Sequence, residues 1–168
     1  IQAGYKYLII NLDNEPIPLQ LEKSNSLFWE VGGPAGSISL NYERIVRKGV
    51  NYAVGGKTGT GILIGQPGLV EGFSIPFSIV NLFGAKTTFL EIDAGITFNW
   101  EKFWYPTPNQ KFMKSTELNA GIGFRYVHPN SFWMFRTLFY PTLNITATGD
   151  GFPPHFGHRF GISIGRAF

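Results

Sequence analysis

Two histidines and an aspartate near the end of the chain are the side chains most able to do chemistry. His155 and His158 lie three residues apart, and Asp150 precedes them. With a hydroxyl such as that of Thr146 or Thr148, they could supply the base and nucleophile of a hydrolase or acyltransferase. Residues three apart on a strand point to opposite faces, so the two histidines could share a metal ion only in a loop. The simpler interpretation is a solvated or headgroup-facing pair of histidines.

A glycine-rich stretch is similar to the end of a phosphate-binding loop. It consists of Gly55-Gly56-Lys57-Thr58. The full motif requires a further glycine where Asn51 stands, followed by a helix whose N-terminus holds the phosphate. That glycine is missing and no helix is predicted, so we expect no nucleotide site and no cofactor.

Small or polar side chains, some of them charged, recur at every second position of several segments. In segment 88–100, Glu91 and Asp93 alternate with large apolar side chains. Such alternation is typical of a β-strand with one polar and one apolar face. We predict that the polar faces enclose a network of paired charges, because isolated buried charges are very costly. The predicted network consists of Glu30, Glu43, Glu91, Asp93, Glu117, Arg125, Arg136 and Arg159.

Period-two alternation recurs along the chain, and helical periodicity is almost absent. The predicted fold class is all-β, an eight-stranded antiparallel up-and-down transmembrane β-barrel. No run of about 18 apolar residues is present, so no membrane helix is predicted. Pro76 is expected at an edge or a bulge, because proline cannot donate to the sheet ladder. The predicted strands are 27–32, 37–46, 50–64, 72–81, 88–100, 115–127, 132–144 and a last strand ending at residue 168.

The composition favours this class over others. A barrel domain, 27–168, is expected to follow an N-terminal segment, 1–26. Charged residues make up only 15% of the 168 residues, well under the usual quarter. The chain has no Cys, so we expect neither a disulfide nor a thiolate metal site. The net charge of +3 is scattered, so no nucleic-acid surface is predicted. No signal peptide is visible, and we expect a mature or trimmed form.

The connections alternate in length. Short turns at 47–49, 83–85 and 128–131 alternate with longer loops, as in outer-membrane barrels whose short turns lie in the periplasm. Both termini would then be periplasmic. An eight-stranded barrel has room inside only for side chains, so we predict no open channel. Aromatic residues near strand ends are expected to form interfacial girdles. They are Trp29, Trp100, Phe103, Trp104, Tyr105, Tyr126, Phe132 and Trp133.

Three segments carry a resemblance to a known family: SLFWEVGG at 26–33, SLNYER at 39–44 and GISIGRAF at 161–168. They resemble small outer-membrane β-barrel proteins of Bacteroidota-type bacteria, in the eight-stranded OmpA/OmpX-like class. The likeness extends over 26–168. It implies a bacterial outer-membrane location, and it does not specify an activity.

The resemblance also implies a role for the last strand. In outer-membrane barrels, a terminal aromatic residue on an alternating strand is read by the barrel-assembly machinery. Phe168, with Ile162 and Ile164, would carry this signal. Arg166 departs from the aromatic or aliphatic residue usual at its position.

We interpret the chain as a non-enzymatic structural or accessory subunit of a larger outer-membrane complex. Its partners would be outer-membrane lipids, lipopolysaccharide, other outer-membrane or periplasmic proteins, and the assembly machinery during insertion. Residues 1–26 would be periplasmic, and 5–12 could add a strand to a partner's sheet. Two alternatives stay open: a lipid A-modifying enzyme with a rim site near Asp150, His155 and His158, and a small-solute pore.

Overall fold

A computed structural model describes residues 23–64, 70–103, 112–148 and 154–168 of the chain. Each strand is antiparallel to its neighbours in sequence, and β1 also pairs with β8, so the sheet closes into a barrel. The predicted eight-stranded antiparallel barrel is therefore confirmed. The strands are β1 (Asn25–Gly32), β2 (Ile38–Lys48), β3 (Tyr52–Ile64), β4 (Val70–Ala85), β5 (Thr88–Phe103), β6 (Phe112–Val127), β7 (Trp133–Thr148) and β8 (His155–Ala167).

The strand ends form two rims. The short-turn rim carries the turns at 49–51, 86–87 and 128–132, together with the start of β1 and the end of β8. The opposite rim, called the distal rim, carries the turn at 33–37 and the far ends of β3 to β8. No helix in the described part of the chain is long and apolar enough to span a membrane.

Several strand ends differ from the prediction because the turns lie at other positions. The sequence places a turn at 83–85, whereas β4 continues to Ala85 and the chain reverses at 86–87. Lys86 adopts a left-handed conformation with φ 60°, which suits a two-residue hairpin turn. Phe132, expected to begin the seventh strand, has φ 57° and lies in the preceding turn. The predicted turn at 47–49 is also displaced, because β2 runs to Lys48 through a register shift after Ile45.

The expectation for Pro76 is wrong. This residue lies in an inner strand of a closed sheet, paired with Thr97 of β5, and neither of its ladders shifts register there. The ladder to β3 is instead interrupted between the pairs Thr58↔Phe77 and Gly61↔Ser74. The missing donor of proline is thus accommodated by a local gap in pairing, without a bulge.

The side chains alternate between two surfaces of opposite polarity. The outer wall exposes large apolar side chains, including Trp29, Phe73, Phe77, Ile92, Phe124, Phe135 and Ile162. The interior at the short-turn rim holds an apolar cluster of Phe28, Ile45, Ala53, Val80, Leu82, Phe89, Val127 and Met134. Gly165 makes room for this cluster, because a Cβ there would collide with the side chain of Phe28 and the carbonyl oxygen of Leu27.

β1 begins at Asn25, two residues before the predicted start of the barrel domain. The predicted N-terminal segment lies almost entirely outside the described residues, which start at Lys23. The domain boundary therefore stays a prediction.

Candidate functional site: the charged barrel interior

The structure places the eight predicted network residues on the inner face of the barrel. Seven of the eight side chains are buried, and Arg159 is half-buried near the distal rim. Alternation along each strand brings them inside, since residues two apart share a face. The eight residues therefore come from six strands rather than from one local motif. The seven buried ones are Glu30, Glu43, Glu91, Asp93, Glu117, Arg125 and Arg136.

Arg125 and Arg136 form the centre of the first cluster. The Nη1 and Nη2 atoms of Arg125 each donate to a carboxylate oxygen of Glu43 at 2.6 Å, and its Nε donates to Glu91 at 2.8 Å. Arg136 donates from Nε to Glu91 at 3.0 Å and from Nη2 to the other oxygen of Glu91. Bidentate hydrogen bonds between a guanidinium and a carboxylate are strong and directional. Glu91 therefore bridges two arginines in a site closed to solvent.

A second cluster surrounds the hydroxyl of Tyr140. Lys57 forms a buried ion pair with Asp93, and its Nζ also donates to the Tyr140 oxygen at 3.3 Å. The same hydroxyl lies 3.3 Å from Glu30 Oε1 and 3.3 Å from Asp93 Oδ2. Ser163 donates to Glu30 Oε1 at 3.2 Å. Side chains of β1, β3, β5, β7 and β8 thus meet around one phenol.

The two clusters form one continuous network. Arg136 Nη2 lies 3.8 Å from Asp93 Oδ2, which joins them across β5 and β7. The guanidinium of Arg136 also stacks over the Phe28 ring at 4.3 Å, a cation–π contact with the apolar cluster. The ion pairs connect opposite walls of the lumen. The apolar cluster lies on their short-turn side, and hydrogen-bonded polar side chains such as Asn119 with Thr97 lie toward the distal rim.

Glu30 differs from the other carboxylates of these two clusters. Glu43, Glu91 and Asp93 each have an ion-pair partner, whereas Glu30 contacts only hydroxyl groups among the described residues. Within the described part of the chain, Glu30 Oε2, Asp93 Oδ1 and Arg136 Nη1 have no hydrogen-bond partner. With all groups ionised, the two clusters hold four carboxylates and three cations, Lys57, Arg125 and Arg136. Their formal charge is therefore −1.

A separate ion pair lies nearer the distal rim. Arg159 Nη2 donates to Glu117 Oε2 at 2.9 Å, and Arg159 Nη1 donates to the carbonyl oxygen of Pro34 at 3.0 Å. The second contact ties the β1–β2 turn to β8. The Arg159 side chain is 31% exposed, so this pair is more accessible to solvent than the central network.

Sequence reasoning missed Lys57 and Tyr140. The glycine-rich β3 could not be phased by its apolar pattern, so Lys57 was considered only for phosphate binding; the structure places it inside the barrel on Asp93. Tyr140 continues the inward register of Met134, Arg136 and Leu138 in β7. Extending that alternation by one step would have found it.

The histidines predicted at the rim are exposed residues of β8. His155 pairs with Asn144 and His158 with Pro141 in the β7–β8 ladder, and the His158 ring lies 6.2 Å from that of Phe139. Asp150 and the side chains of Thr146 and Thr148 are outside the described residues. Within the described ranges, no group of three His, Cys, Asp or Glu side chains could hold a metal ion.

The last strand places its predicted signal residues on the outer wall. Ile162, Ile164 and Phe168 are exposed and share a face with Arg166. The backbone of Phe168 pairs with that of Asn25, with N–O distances of 2.8 and 3.2 Å. The end of β8 therefore closes the barrel against β1.

The structure describes the side chains of five of the eight residues predicted to form the aromatic girdles. Trp29, Tyr126 and Trp133 are exposed on the outer wall, and Trp100 stacks on Phe73 with ring centroids 4.7 Å apart. Phe132 is half-buried beneath Lys23, whose Nζ lies 5.1 Å from the ring centroid. Trp104, Tyr105 and the side chain of Phe103 lie outside the described residues.

The fold and its interior define a closed eight-stranded antiparallel β-barrel, with ion pairs inside and apolar side chains outside. Neither a protein-family model nor a curated protein matches the chain. Among solved structures, the barrel is similar to the crystal structure of Ail, the attachment invasion locus protein of Yersinia pestis. The two sequences are 14% identical with a TM-score of 0.47, and the match covers 87% of this chain and 99% of that chain.

Proposed function

We propose that the chain is an integral outer-membrane β-barrel that serves as a structural or accessory subunit of a larger outer-membrane complex and has no open channel. The observation that carries the proposal is the inverted polarity of the barrel. Glu30 and Glu91 are fully buried, whereas Phe124 is 61% and Ile162 67% exposed.

This polarity suits a lipid environment. In water, the outer wall would leave apolar area hydrated at a cost of about 25 cal/mol per Å². A soluble barrel would place these large apolar side chains inside. In hydrocarbon the same wall is well solvated, and closure leaves no strand edge with unsatisfied backbone groups. The pairing of β1 with β8 meets that requirement.

The central network argues against a permanent pore. The side chains of Arg125, Arg136 and Lys57 reach across the lumen to carboxylates on other strands. A cavity of about 10 Å³ beside Glu43 and Arg125 has room for about one water molecule. Moving an ion through this layer would require buried ion pairs to separate, at a cost of several kcal/mol.

Orientation is part of the proposal. The described turns of the short-turn rim have two to five residues, and short turns are typical of the periplasmic side. The N-terminal segment, which precedes Lys23 on that rim, would then reach periplasmic partners. A filled interior leaves the outer wall, the rims and this segment as the surfaces through which a subunit role can act.

Two experiments test the proposal at different levels. Purified chain added to phosphatidylcholine vesicles should fold into a form that migrates differently on SDS gels before and after heating, with strand-rich circular dichroism. In planar bilayers it should give no steady conductance. If the chain stays in solution, the proposed membrane barrel is rejected. If it forms a stable conducting pore, the proposed closed lumen is rejected.

The subunit role requires a test in native membranes. Tagged full-length chain should co-purify with defined envelope proteins under mild detergent. A variant without residues 1–22 should lose periplasmic partners while keeping its heat-dependent gel shift. Isolation of a lone barrel in both cases would reject the subunit role and leave the membrane location untouched.

A further inference from the structure

The outer wall has a groove that runs across β3, β4 and β5, from Tyr42 of β2 to Leu118 of β6. Its volume is about 560 Å³, within the usual range of small-molecule pockets, about 300–1,000 Å³. Gly56 lies in the groove, and a Cβ added there would meet nothing within 4 Å. The groove is therefore an empty space in the wall and not a loosely packed core. Its lining includes Tyr42, Gly56, Phe77, Ile79, Ala94 and Leu118.

The groove reaches the basic part of the short-turn rim. Arg44 is the direct cross-strand partner of Gly56 in the β2–β3 ladder, and both are exposed on the outer wall. Arg47 is exposed farther along β2, opposite Val54. Arg44 thus lies beside the end of the groove at Gly56, and Arg47 lies farther toward the end of β2.

The exposed charged side chains of this rim have one sign. In the described part of the rim, the nearby acidic residues Glu43 and Glu91 face inward and are ion-paired. The exposed charged side chains there are all basic: Lys23, Arg44, Arg47, Lys48, Lys86 and Arg166. A surface of this kind attracts anionic lipid headgroups.

We propose that this groove, with Arg44 and Arg47, binds one anionic phospholipid of the leaflet that the short-turn rim contacts. One acyl chain would lie along the groove past Gly56, and the phosphate would lie on the two guanidinium groups, which match phosphate geometry. This inference rests on the proposed membrane location. An amphiphile is the occupant that fits, because the groove is apolar along its length and cationic only at its rim end.

Native mass spectrometry of the full chain in detergent tests the site. After delipidation, we expect the protein to retain one phosphatidylglycerol at concentrations where phosphatidylcholine with the same acyl chains is not retained. Arg44→Gln and Arg47→Gln should each weaken phosphatidylglycerol binding about fivefold, from about 1 kcal/mol per basic residue near a lipid surface. Lys114→Gln, which removes one exposed charge at the distal end of β6, is the matched control and should leave binding unchanged.

A variant that fills the groove tests the contact with the acyl chain independently of the contact with the headgroup. Gly56→Val adds a side chain where a Cβ would meet nothing within 4 Å, and valine suits a strand. It should abolish retention of the lipid while preserving the heat-dependent gel shift. Thr137→Ile adds apolar bulk elsewhere on the outer wall, on the exposed face of β7, and should leave retention unchanged.

Each result decides between alternatives. Equal retention of the two phospholipids would overturn the headgroup assignment, and wild-type binding by Gly56→Val would overturn the groove. Displacement of phosphatidylglycerol by lipid A at equal concentration would overturn the choice of phospholipid. A folded, inserted barrel that retains no lipid rejects only this inference, whereas a chain that never inserts into vesicles rejects the proposed location as well.

Discussion

Arg125 and Arg136 stand directly opposite each other on β6 and β7, and Glu91 accepts hydrogen bonds from both. Like charges at directly opposed positions of a sheet destabilise it. Glu91 of the neighbouring β5 offsets this repulsion, because its carboxylate forms ion pairs with both arginines. Glu43 neutralises the second arginine charge through its two contacts with Arg125.

Glu91→Gln should be among the most damaging single changes in the barrel. It leaves Glu43 paired with Arg125, and Arg136 with only its 3.8 Å contact to Asp93, and loss of a buried partner costs about 3–5 kcal/mol. The free energy of unfolding by urea in phosphatidylcholine vesicles measures the effect. Glu117→Gln is the control and should cost clearly less, because its partner Arg159 is 31% exposed and water can solvate the remaining charge. Equal losses for the two variants would argue against a central role for Glu91.

The pair of Lys57 and Asp93 should behave as a coupled unit. Asp93→Asn strands a buried ammonium group and should cost about 3–5 kcal/mol. The double variant Lys57→Met, Asp93→Leu removes both charges and should recover most of that loss, since apolar replacements of buried pairs are often neutral or stabilising. A double-mutant cycle with the two single changes isolates the coupling. Losses that simply add would show that the two side chains do not interact.

Glu30 should tolerate loss of its charge. Its described partners are the hydroxyl groups of Tyr140 and Ser163, and the amide oxygen of Gln can accept the same hydrogen bonds. Glu30→Gln should therefore change the free energy of unfolding by less than about 1 kcal/mol, or raise it, because it removes a buried charge without an ion-pair partner. Glu43→Gln, at a carboxylate held by Arg125, is the comparison and should be clearly destabilising. If Glu30→Gln and Glu43→Gln lowered the free energy of unfolding equally, this would indicate a cation next to Glu30.

Two glycines should respond oppositely to Ala. At Gly165, a Cβ collides with the Phe28 side chain and with Leu27 backbone at the β1–β8 seam. Gly165→Ala should cost about 1–3 kcal/mol, the range for overpacking. Gly56→Ala meets open space and should be neutral or stabilising, because Gly is unfavourable in strands. Thermal loss of the heat-resistant gel form ranks the two variants, and the reverse order would contradict the packing described for the seam.

The assembly role of the last strand is testable by comparing cells with vesicles. Phe168→Ser should lower the amount of folded barrel in the outer membrane several-fold. Refolding of the purified chain into vesicles should change little, because the substitution keeps the backbone pairing with Asn25. Phe160→Ser, on the same outer face of β8 but nearer the distal rim, controls for loss of an apolar side chain. Equal defects in cells and in vesicles would assign Phe168 to stability and not to recognition.

The interior could be predicted where alternation was clear. In β5, Glu91 and Asp93 stand at every second position among large apolar residues, so their shared face follows from local geometry. In β3, glycines occupy both faces, and no apolar pattern revealed that Lys57 points inward. The turn before β5 was misplaced for a related reason: its left-handed residue is Lys86 rather than a glycine, so composition did not mark it.

The sequence by itself determined which face of most strands is polar, because the period of a strand is two and depends on local geometry alone. It thereby determined the barrel class and the membership of most of the buried charge network. Only the tertiary structure decided which charges meet. Closure of β1 on β8 sets one register for the whole sheet, and that register brings Arg125 of β6 to Glu43 of β2 and gathers Lys57, Asp93 and Glu30 around Tyr140. Contacts across a lumen depend on the height of each strand in the barrel, which no single segment encodes.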